Sequence, residues 1–319
     1  SGLSPMVNPM PDRRTVPPYK CLYTWDVHYA CNYRCSYCFF NSSWEEEKKK
    51  NRYPGIARWK NIWDAVYERY GGGLIHVSGG EPFTYPDFID LLVHLRKKFD
   101  TEHDTNLSFD LKEFMEKVAP ERVKLNATFH PQFADIETFF DKALTLKKAG
   151  FALGVNYVAF PEQLGRMAEY KKRFNDAKIS FDIMPFRGTY QGREYPQGYD
   201  ESEKKILCEA APKTAPPMFA AYDQKKSPAP SNPHAGKLCR MGQMYTKIQP
   251  DGTAYRCCKA EPAGKLGNLI DGTFSFYEHP QPCGYTGCSC WRAMIVDQEQ
   301  NWLRCWLSPK EIERGKPGQ

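Results

Sequence analysis

The chain has 319 residues and a formal net charge of +6; 41% of it is hydrophobic and 26% charged, the balance of an ordinary globular protein able to bury a large core. No run of about 18 apolar residues occurs, which excludes a membrane-spanning helix. Lysines and arginines are scattered among acids, as in EEEKKK (45–50), rather than gathered into the stripe that nucleic-acid binding needs. The start, SGLSPMVNPMPDRRTVPP, carries no apolar signal segment, so a cytoplasmic location is expected. Twelve cysteines in such a chain point to metal or redox chemistry rather than disulfides.

An extended arm is expected over residues 1–20. Short β-like runs follow: CLYTWDVHY (21–29), LIHVS (74–78), DTNLS (104–108), VKLNATFH (123–130), ALGVNYVAF (152–160) and ISFDIMPF (179–186). Helical patterns such as ARWKNIWDAVYERY and IETFFDKALTLKKAG separate most of them. Six such repeats predict an α/β fold over 21–206, a parallel sheet curled into a partial (β/α)6 barrel, too short for the closed eight-fold form. Residues 207–237 read as a Pro-rich linker. Residues 238–319 form a cysteine-rich C-terminal part, in which YTKIQPDGTAYRC predicts a β-hairpin turning at Asp251-Gly252.

Cys31, Cys35 and Cys38 have the spacing C-x3-C-x2-C directly after the first predicted strand, where α/β folds carry their chemistry. Two readings are open: a zinc site with His28 as a fourth ligand, or three thiolates on a four-iron cluster with one iron left open. CNYRCSYC, with Tyr37 before the last cysteine, resembles the signature of the radical S-adenosylmethionine (radical SAM) superfamily. HVSGGEPF at the end of the second strand is similar to that family's Gly-Gly-Glu-Pro motif. The resemblance implies a [4Fe–4S] cluster on these three cysteines and SAM on its open iron. It further implies an electron from an external flavodoxin- or ferredoxin-type donor, and a 5′-deoxyadenosyl radical that abstracts hydrogen from substrate. By the same resemblance Gly79 and Gly80 approach the methionine moiety and Glu81 accepts from its ammonium. Asn126, Thr128, His130 and Asn156 lie near the ribose, with Thr105, Asn106 and Ser108 as neighbours, and Tyr37 and Phe39 border the adenine.

Strand alternation carries separate information. In VKLNATFH, Val123, Leu125, Ala127 and Phe129 share one face and Lys124, Asn126, Thr128 and His130 the other. The other strands split likewise, so the barrel interior is expected to be polar. Burying so many polar groups is unfavourable without partners. Asp26, His28, His76, Lys124 and Asp182 therefore form a surplus suited to a polar, carbohydrate- or cyclitol-like substrate, with Asp26, His28 and Lys124 as candidate catalytic groups; a solvent-exposed face is the plainer alternative.

Cys239, Gly252 and Cys257 fit C-x12-G-x4-C, which resembles the opening of the SPASM and twitch extensions of radical SAM enzymes, and LGNLIDG (266–272) is similar to the segment that follows there. CGYTGCSC adds Cys283, Cys288 and Cys290, one more than a single auxiliary [4Fe–4S] cluster needs; structural zinc stays open for this half. Cys258 is the candidate hydrogen-atom donor. The expected outcome is oxidation or epimerisation of a polar small molecule. The alternative is a peptide or protein maturase catalysing epimerisation or crosslinking, disfavoured here because the short arm leaves no room for an N-terminal peptide-recognition domain.

Overall fold

Six parallel strands succeed one another in chain order: β1 (Cys21–His28), β2 (Gly73–Gly79), β3 (Asp100–Thr105), β4 (Val123–Phe129), β5 (Ala152–Ala159) and β6 (Ser180–Pro185). The computed structural model describes residues 21–38, 40, 43–210, 236, 238–258 and 262–285. Helices α1 (Trp44–Lys48) and α2 (Ile56–Tyr70) lead from β1 to β2, and α3 (Phe88–Leu95), α4 (Leu111–Lys117), α5 (Ile136–Lys148) and α6 (Met167–Asp176) fill the later crossovers. After β6 come the hairpin β7 (Gly188–Tyr190)–β8 (Arg193–Tyr195) and α7 (Glu201–Ala210). The cysteine-rich part supplies β9 (Leu238–Cys239), β10 (Tyr245–Ile248), β11 (Thr253–Tyr255), β12 (Lys265–Asn268) and β13 (Gln281–Pro282). No helix among the described residues is long and apolar enough to cross a membrane.

The expected hairpin is present, and it continues the main sheet. β10 pairs in parallel with β1, Leu22 opposite Tyr245 and Trp25 opposite Ile248, and β11 and β12 follow antiparallel. The order is β12-β11-β10-β1-β2-β3-β4-β5-β6, an open nine-stranded sheet rather than a closed barrel.

Local chemistry accounts for the elements. β4 alternates buried and half-buried residues along its whole length, and α5 sets Ile136, Phe139, Ala143 and Leu146 against the sheet. Asp135 caps α5 by accepting from the Thr138 N–H, and Asp110 caps α4 by accepting from Lys112, each satisfying a backbone donor left over at a helix start. Beneath α2 the Trp25 ring lies 4.6 Å from Trp59 and 5.4 Å from Trp63.

The third strand differs from expectation. It is DTEHDT (100–105), and Asn106–Ser108 lie in the loop after it. Its residues carry no apolar alternation; polar partners on the neighbouring strands hold it, as described next.

Candidate active site

The chain leaves β1 through a loop that presents Cys31, Cys35 and Cys38. The Cys38 N–H donates to the Cys35 carbonyl at 3.0 Å, while the Tyr33 and Phe40 N–H groups point at the sulfurs of Cys31 (3.3 Å) and Cys38 (3.5 Å). Burial, then the neighbouring Cys38 thiol, pushes Cys35 up to about 12, and burial raises Cys31 and Cys38 as well. Three thiols that disfavour one another's ionisation need a cationic centre to become thiolates. Among the described residues no three cysteine, histidine or acidic side chains converge as ligands of a single ion do. A cuboidal cluster takes one thiolate per iron corner, and the donor set fits it. His28 does not complete a zinc site: it is buried, and its Nε2 lies 2.8 Å from the Glu81 carbonyl oxygen, to which it donates.

The Gly79-Gly80-Glu81 turn packs directly on this loop. The Gly80 N–H donates to the His28 carbonyl (2.8 Å) and the Glu81 N–H to the Ala30 carbonyl (2.9 Å). A Cβ on Gly80 would sit 1.9 Å from the Ala30 oxygen, and Gly79 has φ of +122°. The chain's own backbone therefore already requires these glycines.

Glu81 has protein partners of its own. Its carboxylate is 1% exposed and accepts from the Asn106 N–H (2.6 Å), the Thr105 hydroxyl (2.9 Å) and the Phe83 N–H (3.2 Å). It ties the end of β3 to the turn rather than facing open space. Burial pushes it up to about 7 against these bonds. Asn106 and Ser108, expected beside SAM, are engaged by Asn32 of the cysteine loop: Asn106 Nδ2 donates to Asn32 Oδ1 (2.9 Å), and Asn32 Nδ2 donates to Ser108 Oγ (2.8 Å).

Tyr37 is buried, its hydroxyl 3.1 Å from His130 Nδ1 and its ring stacked on that imidazole, so it anchors the loop on β4. Burial holds His130 down at about 4, keeping it neutral. The Ser36 N–H donates to Gln132 (3.0 Å), a second tie to the same corner. Arg34 donates to the Cys31 and Tyr33 carbonyls and lies over the Trp44 ring. Phe39 lies outside the described residues.

Below the loop the inner face of the sheet is polar, as the alternation predicts, but its groups pair with one another. Lys247 of β10 contacts Asp26, which also accepts from Tyr29 (3.0 Å). His76 meets Asp104 at 3.0 Å and Lys124 meets Glu102 at 2.7 Å. Asn126 donates to both Glu102 and Asp104. Burial acts to raise Asp104, but the His76 charge and bonds from His76, Asn126 and Ser78 overcome it and hold the carboxyl at about 2. Asp26, His28 and Lys124 thus have protein partners where catalytic roles were expected. Nearer the cysteine loop, Thr128, Asn156 and Asp182 stand side by side on β4, β5 and β6. Among the described residues none of these three side chains makes a hydrogen bond.

The second cysteine set lies at the opposite end of β1. Cys239, Cys257 and Cys283 are buried in one cluster with Leu22, Met241, Met244 and Tyr245. Leu22 is the second residue of β1 and Cys31 follows the strand's end; the strand itself, Cys21–His28, spans roughly 23 Å. Cys258 is exposed beside buried Cys257. Cys288 and Cys290 lie outside the described residues.

Sequence reasoning missed Lys247, Glu102, Asp104, Asn32 and Gln132. Asn32 alone had a local signal, its place directly after Cys31.

The profile of the radical SAM superfamily matches residues 25–183. Over 126 residues the chain is 29% identical to the mycofactocin maturase MftC of Mycobacterium tuberculosis (strain CDC 1551 / Oshkosh), a match covering 39% of this chain and 28% of MftC. Its fold resembles that of Streptococcus suis SuiB with a TM-score of 0.54 and 15% identity, over 81% of this chain and 66% of SuiB. It likewise resembles anSMEcpe, solved with bound AdoMet and the Kp18Cys peptide, with a TM-score of 0.53 and 16% identity over 79% of this chain and 78% of that one. Through residues 25–183 the chain belongs to the radical SAM superfamily. The cofactors of that family are a [4Fe–4S] cluster and SAM.

Proposed function

We propose that this radical SAM enzyme modifies a peptide. The observation that carries this reading is the self-pairing of the inner face: Asp26 with Lys247, His76 with Asp104, Lys124 with Glu102, and Asn126 with both acids. Of the polar surplus that pointed to a carbohydrate or cyclitol, Asp26, His28, His76 and Lys124 are taken up within the protein, and Asp182 is the member left over. The relatives point the same way: MftC is a maturase, SuiB has been solved bound to its precursor peptide SuiA, and anSMEcpe with peptides.

When bound, the cluster and SAM supply hydrogen abstraction from an unactivated C–H bond. Cys31, Cys35 and Cys38 would hold the cluster, and the N–H groups aimed at their sulfurs favour the thiolate form. Thr128 and Asn156 offer open polar groups to SAM, and Asp182 beside them offers one to substrate. Cys239, Cys257, Cys283 and one of Cys288 or Cys290 would hold an auxiliary [4Fe–4S] cluster. Cys258 remains the candidate hydrogen donor if the modification is an epimerisation. An external low-potential donor supplies electrons.

The test compares two probes on reconstituted enzyme with SAM and dithionite in deuterated water: a pool of synthetic peptides and a mixture of hexoses and aminocyclitols. Peptide-dependent 5′-deoxyadenosine above the basal rate is expected. Gain of one deuterium by the peptide marks epimerisation, and loss of two hydrogens marks oxidation or crosslinking. Stimulation by the sugar mixture alone overturns the peptide reading.

A further inference from the structure

Cys239 ends β9, Cys257 follows β11 and Cys283 follows β13, so three separate segments must be gathered before they can share a ligand. Arg256 touches all three. Its Nε donates to the Met241 carbonyl at 3.2 Å, two residues past Cys239. Nη1 donates to the Pro282 carbonyl and Nη2 to the Gln281 carbonyl, both at 3.1 Å, immediately before Cys283. Arg256 itself adjoins Cys257, and its N–H donates to the Gly264 carbonyl at 2.7 Å. Only a planar guanidinium presents enough fixed donors for three carbonyls in different directions.

The surroundings are shaped to this side chain. Its guanidinium lies 5.6 Å from the centre of the Tyr277 ring. A Cβ on Gly242 would lie 2.8 Å from the Arg256 Cβ, and one on Gly264 2.9 Å from its Cγ. Arg256 is 9% exposed. Among the described residues no carboxylate pairs with it, and a buried charge without a counter-charge is unfavourable. Cys239, Cys257 and Cys283 are buried together in the cluster that these segments form.

We propose that Arg256 is the positioning residue of the auxiliary centre: it clasps the segments bearing Cys239, Cys257 and Cys283 and supplies the buried positive charge that a thiolate-ligated cluster neutralises. The charge half of this proposal rests on the auxiliary-cluster reading; the clasp half does not.

The experiment uses the full-length chain as wild type, Arg256→Met and Arg256→Lys. Before reconstitution, N-ethylmaleimide labelling is followed cysteine by cysteine by mass spectrometry. Cys239, Cys257 and Cys283 are expected to react at least about tenfold faster in Arg256→Met, with Cys35 unchanged and the lysine variant intermediate. Unchanged rates overturn the clasp. If Arg256→Met exposes every cysteine alike, Arg256→Lys decides: selective exposure of the three supports the proposal and uniform exposure overturns it. After reconstitution, about eight irons in wild type should fall to about four in Arg256→Met, with the SAM-dependent electron paramagnetic resonance signal retained. Eight irons in Arg256→Met overturn the charge half. About four irons already in wild type would instead sink the auxiliary-cluster reading, and with it the charge half, while the labelling still decides the clasp.

Discussion

The Lys247 ammonium on β10 meets the Asp26 carboxylate on β1 inside the sheet, across 221 positions of sequence. The two side chains are 19% and 6% exposed. Removing the lysine leaves a buried carboxylate with Tyr29 as its remaining side-chain partner among the described residues. Lys247→Met is therefore expected to lower unfolding free energy by about 3 kcal/mol. Adding Asp26→Asn should recover part of that loss, and a double-mutant cycle in chemical denaturation measures it. Additive losses would show that the pair contributes nothing jointly.

Glu81 carries a different kind of strain on its surroundings. Glu81→Gln replaces one acceptor oxygen with a donor facing groups that themselves donate, Asn106 N–H and Thr105 hydroxyl. A loss of about 1–3 kcal/mol is expected. SAM affinity should weaken along with it, because the turn that loosens packs on Ala30 beside Cys31. Equilibrium dialysis and thermal denaturation read the two effects separately.

Thr128 and Asn156 make the simplest test of where SAM lies. Among the described residues neither side chain has a hydrogen bond to lose, so alanine at either position should leave the melting temperature unchanged. The same substitutions should weaken SAM binding about fivefold each, near 1 kcal/mol. Unaltered affinity in both would move the cofactor elsewhere on the inner face.

His103 gives stability a pH dependence with a definite sign. It is fully buried between Phe83 and Phe88, and among the described residues neither ring nitrogen has a hydrogen-bond partner. Burial, helped by His76, holds it down at about 3 from an ordinary 6.5. As pH falls from 6.5 toward 3 the unfolded chain takes up this proton and the folded chain does not, so stability falls, by up to about 1.4 kcal/mol per pH unit. Asp104 adds a later loss, as pH falls from 3.8 through about 2. His103→Leu should make the first limb shallower, leaving the part due to buried His130, and leave the second, as urea titrations at stepped pH would register.

Much of the barrel is legible because its signals are local. VKLNATF alternates cleanly, and CNYRCSYC and SGGEP are short motifs whose spacing survives without any tertiary knowledge. DTEHDT is opaque for the opposite reason. Thr101 and His103 turn to the core and Glu102 and Asp104 to the interior, so both faces read as polar. Its strand character comes from His76 on one side and Lys124 on the other, which only the assembled sheet supplies. The same holds for Glu81, whose motif was visible but whose acceptor role toward Thr105 and Asn106 was not. Lys247 and Arg256 act on segments far from them in sequence, and no periodicity encodes that.

The order in which the chain is made matters for β1. Every residue of β1 is buried, yet one of its two edges waits for Tyr245–Ile248, the better part of the polypeptide later. Throughout that interval a nascent chain carries an unprotected strand edge backed by apolar surface, the condition under which chains recruit one another. A fragment ending at residue 237 retains all six parallel strands and keeps that edge for good. It is expected to self-associate where the whole chain does not, and sedimentation velocity would show it.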